Sequence, residues 1–185
     1  MRPFCRYCPC SLKNPDIVHG DIKPENVLVF KENPGRFTAR VIDFGYSTRY
    51  TNSNQQLALP RSESWNAPEN DGLRREWTLH QARKADLFCV GRLCLWLLFE
   101  ACFSDTEPPR QTSPVTDIGR EEKGTMEEAK GDLRTYARQL LRSNNVFEYD
   151  KATVLKDFFD SSLSKDPEER EMSLERLLSN LDPQW

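Results

Sequence analysis

The stretch "LFCVGRLCLWLLFEACF", residues 87–103, restricts the folds open to this chain more than any other part of it. It is apolar nearly all round. A helix of that kind has no polar face to give to water and must lie at the centre of a helical core. Arg92 and Glu100 interrupt it, leaving at most seven uninterrupted apolar residues, whereas a membrane span needs ~18. A buried central helix beginning at about residue 78 is therefore predicted. Cys89, Cys94 and Cys102 are read as small core residues on it.

The rest of the body follows the same period. Leu133, Tyr136, Ala137, Leu140 and Leu141 recur at helical spacing, as do Val154, Leu155, Phe158, Phe159 and Leu163, and then Leu174, Leu177, Leu178 and Leu181. Asp166-Pro167 separates the last two stripes. Residues 104–125, rich in Pro, charge and small polar side chains, read as a flexible loop. Ahead of the central helix, the apolar runs Val27–Phe30 and Ala39–Phe44 flank "KENPGRFT", whose Asn33-Pro34-Gly35 is a turn signal. They predict an antiparallel pair joined by a longish loop. Residues 46–64 carry few large apolar anchors and read as an exposed segment. The fold class is mainly α with a small antiparallel β-hairpin, in a chain of 185 residues that suits one domain.

Charge sets limits on partners. Charged residues make up 30% and the net charge is −3. With no basic stripe, no nucleic acid is expected, and with no polybasic patch, no anionic membrane surface. "MRPFCRYCPCSLK" is too short of apolar residues for a secretory signal, so reduced thiols and an intracellular location, cytoplasmic or nuclear, are expected. Cys5, Cys8 and Cys10 would hold zinc only if His19 or a distant residue gave a fourth ligand, and residues 1–15 read as an unstructured leader.

The chemistry lies in "IVHGDIKPENVLVF", 17–30, and "VIDFG", 41–45. Asp21, Lys23 and Asn26 precede the first strand of the hairpin and Asp43 leaves the second, so four polar groups converge on one end of the sheet. A carboxylate and an amide oxygen are hard ligands suited to magnesium. An ammonium beside a second carboxylate supplies charge for a phosphate and an acceptor for a hydroxyl proton. Together they equip a site for phosphoryl transfer. Taken singly, Asp86 reads as a helix N-terminal cap or a structural ion, and His80 as a surface residue with no partner nearby.

At these positions the chain resembles the eukaryotic protein kinases. "HGDIKPEN" is similar to their catalytic loop, "DFG" to their metal-binding motif, and "APE" at 67–69 to the close of their activation segment. "KADLFCVG" resembles their central helix, with Asp86 and Gly91 at the D-x4-G spacing, and "LSKDPEER" the late motif whose Arg170 pairs with Glu69. The resemblance covers roughly residues 16–181. It implies the C-terminal lobe of a protein-kinase-like domain, with the N-terminal lobe absent.

Roles carried over by that resemblance are these. Asp21 is the catalytic base, Lys23 contacts the transferring phosphate, and Asn26 and Asp43 hold Mg2+. Leu28 packs under the adenine of ATP. His19 and Phe44 belong to a hydrophobic stack, Glu69, Asp86 and Arg170 are structural, and Ser62 shapes the peptide-docking loop. Lys23 in "DIKPEN" points to serine/threonine substrates on a protein partner.

The departures are as informative. Gly20 stands where most kinases have Arg, which lessens the expected control by phosphorylation of Ser47, Thr48, Thr51 or Ser53. Only about fifteen residues precede the catalytic loop, and they hold no G-x-G-x-x-G loop, no strand lysine and no helix for its partner Glu. The isolated chain is therefore expected to have activity near zero, and apolar surface left bare by the missing elements implies a protein partner that covers it. The alternative reading is a non-catalytic kinase-lobe binding module or a truncated gene product.

Overall fold

The computed structural model describes residues 17–33, 36–50, 56, 58–60, 62, 65–70, 76–99, 132–143 and 147–170. The three N-terminal cysteines, the loop 104–125, Cys102, Thr51, Ser53 and the stripe from Leu174 to Leu181 lie outside them.

The apolar stretch forms helix α1, Leu79–Phe99. Its start is set by a reciprocal cap: Gln81 N–H donates to Thr78 Oγ1 at 3.4 Å, and Thr78 N–H to Gln81 Oε1 at 3.2 Å. Two of the donors that a helix start leaves over are thus satisfied. Helices α2, Leu133–Ser143, and α3, Tyr149–Ser162, pack on α1 and on each other. Ala82, Ala85, Phe88, Leu95 and Phe99 of α1 meet Leu133, Ala137, Leu155, Phe158 and Phe159 in one core, which also takes in Trp77 and Leu163. Cys89 and Cys94 are half-buried on α1, with free thiols.

Gly91 permits the closest approach of α1 and α3. A Cβ there would overlap the Ser162 side chain and press on Leu163 Cδ2 at 3.1 Å. The spacing between Asp86 and Gly91 is thereby a packing requirement, since the turn after Asp86 must carry no side chain on the face that meets Ser162.

Two buried cations, Arg170 and Lys84, are matched to partners inside the core. Arg170 is fully buried. It donates to both carboxylate oxygens of Glu69 at 2.6 and 2.7 Å, to Ser164 O at 2.8 Å and to Lys84 O at 3.0 Å, and it stacks 4.8 Å over the Phe88 ring. Lys84, also buried, donates through Nζ to Arg170 O. Arg92, read from the sequence as an interruption, is buried too, with its guanidinium 5.4 Å over Trp65.

Strands β1, Ile17–Val18, and β4, Thr48–Arg49, pair antiparallel, as do β2, Val27–Asn33, and β3, Arg36–Val41. The hairpin differs from its sequence reading at both ends. Its strands run through "KENPGRFT" until two residues remain between them, with an irregularity between Lys31 and Asn33. β3 stops at Val41, because Asp43 turns to φ 59°, ψ 74°, a left-handed conformation no strand can continue.

The described residues within 46–64 are also less exposed than composition suggested. β4 pairs with β1, Tyr50 is buried with its hydroxyl on Trp77 O at 3.2 Å, and Leu59 packs against the core. Tyr50 and Leu59 anchor a stretch whose average polarity hides them. His80 is exposed, but it has a neighbour, with Nε2 3.7 Å from Glu168 Oε2.

Asp86 sits in the second turn of α1 and is no cap. Its carboxylate accepts His19 N–H at 2.7 Å and Gly20 N–H at 2.9 Å. Burial pushes the carboxyl up from 3.8 to about 6, against the pull of these two bonds. A carboxyl raised on folding binds protons more readily in the native state, so its contribution is complete below about pH 4 and is lost as pH rises to about 6.

Two outcomes follow. In urea unfolding, the stability of the chain minus that of Asp86→Asn falls by up to about 3 kcal/mol across that window and is level above it; a difference independent of pH would refute this. Gly91→Ala costs about 1–3 kcal/mol by the same measurement, because Ser162 and Leu163 must give way.

Candidate active site

The site is built on the residue that follows β1. With His19 N–H on Asp86, the rest of the side chain is also fixed: Nε2 lies 3.0 Å from Ile42 O, and Asp21 N–H donates to Nδ1 at 3.3 Å. A carbonyl needs a donor and an amide N–H needs an acceptor, so the ring is neutral with its proton on Nε2. Its face meets Phe44 edge-on, centroids 4.9 Å apart. Gly20 adopts φ +83°, a conformation that penalises any Cβ. A Cβ there would also lie 3.3 Å from Tyr46 O and 3.4 Å from Leu59 Cδ2. The glycine that departs from the kinase pattern thus occupies a crowded left-handed position.

Asp21 is buried within a ring of donors. Lys23 Nζ lies 2.8 Å from Oδ2 and Asn26 Nδ2 3.1 Å from it, while Ser62 Oγ–H donates to Oδ1 at 2.6 Å. Burial raises the Asp21 carboxyl, but the bonds from Lys23, Ser62 and Asn26 with the Lys23 charge outweigh it and hold it below the ordinary carboxylate range. The Lys23 ammonium is raised in turn, mainly by its hydrogen bond to Asp21, with Glu25 and Asp43 adding their charge. A carboxylate has about four acceptor positions, and donors among the described residues fill three, which leaves one for an incoming hydroxyl.

Asn26 closes the turn Pro24–Asn26 and spends both amide hydrogens on Asp21, on the carboxylate and on its backbone O at 2.8 Å. Its Oδ1 therefore faces away from Asp21. Ile42 N–H donates to Asn26 O at 2.8 Å, which registers the segment before Asp43 against the segment Asp21–Asn26. Asp43 itself is exposed, with Oδ1 accepting Gly45 N–H at 3.1 Å and Oδ2 left over. Two hard oxygens on adjoining segments, one of them facing solvent, suit magnesium. Among the described residues no group of three or more His, Cys, Asp or Glu gathers, so an ion here would rely on the Asn26 amide, water and phosphate for the rest of its shell.

The remaining residues singled out in the sequence divide by distance. Ser62 stands at Asp21, and its Oγ also accepts from Lys23 at 3.2 Å. Leu28 lies on β2 and is 44% exposed, on the same face as Phe30 and opposite the exposed Val29. Glu69, Asp86 and Arg170 are supports, held in the core described above. Three contributors had no sequence signal: Ile42 acts through its backbone, Asn66 Oδ1 accepts Ser62 N–H at 2.9 Å, and Ser47 Oγ donates to His19 O at 3.0 Å. Each is a common residue type whose partner is distant in the chain or on the main chain.

The family model for the protein kinase domain matches residues 11–180, beginning ahead of the boundary at 16 read from the motifs. The chain is 36% identical over 86 residues to the serine/threonine-protein kinase/endoribonuclease IRE1 of Oryza sativa subsp. japonica, covering 44% of this chain and 9% of that protein. It is 30% identical over 105 residues to calcium-dependent protein kinase 4 of Plasmodium berghei, covering 56% of this chain and 17% of that protein. The chain thus spans less than a fifth of the length of these curated relatives. On the extent of the family match, the chain belongs to the protein kinase family.

Proposed function

We propose that this chain carries the phosphoryl-transfer half of a serine/threonine kinase, moving the γ-phosphate of ATP to a protein hydroxyl. The observation that carries the reading is the Asp21 carboxylate, held by Lys23, Asn26 and Ser62 with one acceptor position spare. Held below the usual range, Asp21 is a weak base, and its work is to orient the acceptor hydroxyl in line. That suffices for a loose transition state, in which proton transfer comes late and positioning dominates. Lys23, charged and two residues away, sits where it can meet the transferring phosphate. Asn26 Oδ1 and Asp43 would hold Mg2+, which supplies neutralising charge to the phosphates. Leu28 offers apolar surface to the adenine.

Serine and threonine are preferred as acceptors on two grounds: the lysine two residues after Asp21, and the likeness to the Oryza sativa serine/threonine-protein kinase/endoribonuclease. Within residues 1–185 there is no glycine-rich phosphate loop, so the grip on ATP has to be completed by elements beyond these residues. By itself the chain binds ATP weakly and turns over at or near zero. The exposed Leu28 and Phe30 on one face of β2, and Val29 on the other, fit this as apolar side chains open to a cover. Among the described residues no helix is long and apolar enough to cross a membrane.

Magnesium-dependent ATP binding to residues 1–185, measured by calorimetry beside Asp43→Ala, tests the reading. Weak binding that drops at least tenfold in the variant is expected; equal signals from the two proteins would sink it.

A further inference from the structure

The Asp43 side chain hydrogen-bonds within its own turn, to Gly45 N–H at 3.1 Å, so its position depends on what pins the chain on either side. Before it, Ile42 is held twice, through N–H to Asn26 O at 2.8 Å and through O to His19 Nε2 at 3.0 Å. After it, within the turn Phe44–Tyr46, Phe44 meets the His19 ring edge-on with centroids 4.9 Å apart, a contact without a hydrogen bond. Gly45 has no side chain, and Tyr46 is 56% exposed. The first side chain to hydrogen-bond back to the segment carrying Asp21 is Ser47, whose Oγ–H donates to His19 O at 3.0 Å while its N–H closes the turn on Phe44 O at 3.1 Å.

Between these pins Asp43 keeps φ 59°, ψ 74°. A non-glycine residue in that region is strained by about 1–3 kcal/mol, so the turn relaxes unless its ends are fixed. His19 is fixed independently, by Asp86 on its N–H. Ser47 therefore ties the far end of the Asp43 turn to the residue that the core already holds.

We propose that Ser47 is a positioning residue, whose hydroxyl holds Asp43 in register with Asn26 and Asp21 so that one divalent ion can bridge the two segments. The proposal rests on the phosphoryl-transfer reading above and adds a residue to it. Removing the hydroxyl leaves Asp43 and Asn26 chemically intact and lets their separation drift.

Mn2+ is the probe, titrated into isotope-labelled chain 1–185 and followed by broadening of the backbone amide signals of Asn26 and Gly45. In the parent both signals broaden together, because one ion lies near both. In Ser47→Ala the affinity falls roughly tenfold and the two signals part, while Ser47→Thr, which keeps a hydroxyl, restores the parent behaviour. Melting temperatures measured alongside separate positioning from folding. Unchanged Mn2+ affinity in Ser47→Ala with loss in Asp43→Ala overturns the role of Ser47 and leaves the site reading standing. Loss of affinity that tracks loss of the folded signal in both Ser47 variants assigns the residue to stability and also overturns the proposal. A parent chain with no Mn2+ site overturns the phosphoryl-transfer reading and this role together.

Discussion

A carboxylate in the middle of an apolar helix, accepting two consecutive backbone N–H groups from a loop 66 and 67 residues earlier, is the contact on which the rest of the site depends. Asp86 costs desolvation energy where it lies, and the two N–H bonds recover part of it. What it secures is geometry. With His19 and Gly20 pinned to the rigid core, the imidazole can bridge Ile42 O and Asp21 N–H, and Asp21 can stand within reach of Lys23, Asn26 and Ser62. A loop of polar residues becomes a defined constellation because its first peptide groups are anchored from below.

The second buried ion serves the far side of the body in the same manner. Arg170 joins Glu69, Lys84 and Ser164, three stretches that share no local structure, through charged and main-chain bonds inside the core. A buried pair of this kind adds little net stability relative to apolar residues of the same volume, but breaking one half leaves an uncompensated charge. Its effect is to fix where the segment ending at Glu69 lies against α1. Ser62, seven residues before Glu69, is thereby presented to Asp21. The two buried ions together position opposite sides of one small site.

Much of this was legible in order and type. The all-round apolar stretch required a central helix, and the stripes from Leu133 to Leu141 and from Val154 to Leu163 gave two more. The turn signal at Asn33-Pro34-Gly35 gave a hairpin, though it did not show that the strands continue almost to the turn. Hidden instead were contacts that join residues of ordinary type across long separations. Tyr50 gave no sign of its burial amid polar neighbours, and Asp86, which taken singly read as a helix cap or a structural ion, binds the His19 and Gly20 N–H groups instead of its own helix start. Ser47, Asn66 and the Ile42 main chain have no motif of their own, since a hydroxyl, an amide or a backbone carbonyl can meet any partner the fold brings near.

The sequence by itself determined which chemistry the chain can offer and which segments must be buried, because residue type and hydrophobic period are local properties. The tertiary structure alone decided that Gly20 takes a left-handed turn under Tyr46 and Leu59, that the His19 ring bridges Ile42 O and Asp21 N–H, and that Lys23, Asn26 and Ser62 converge on the Asp21 carboxylate. Those are consequences of distances between groups far apart in the chain, and a distance of that kind exists only once the core has closed around Asp86 and Arg170.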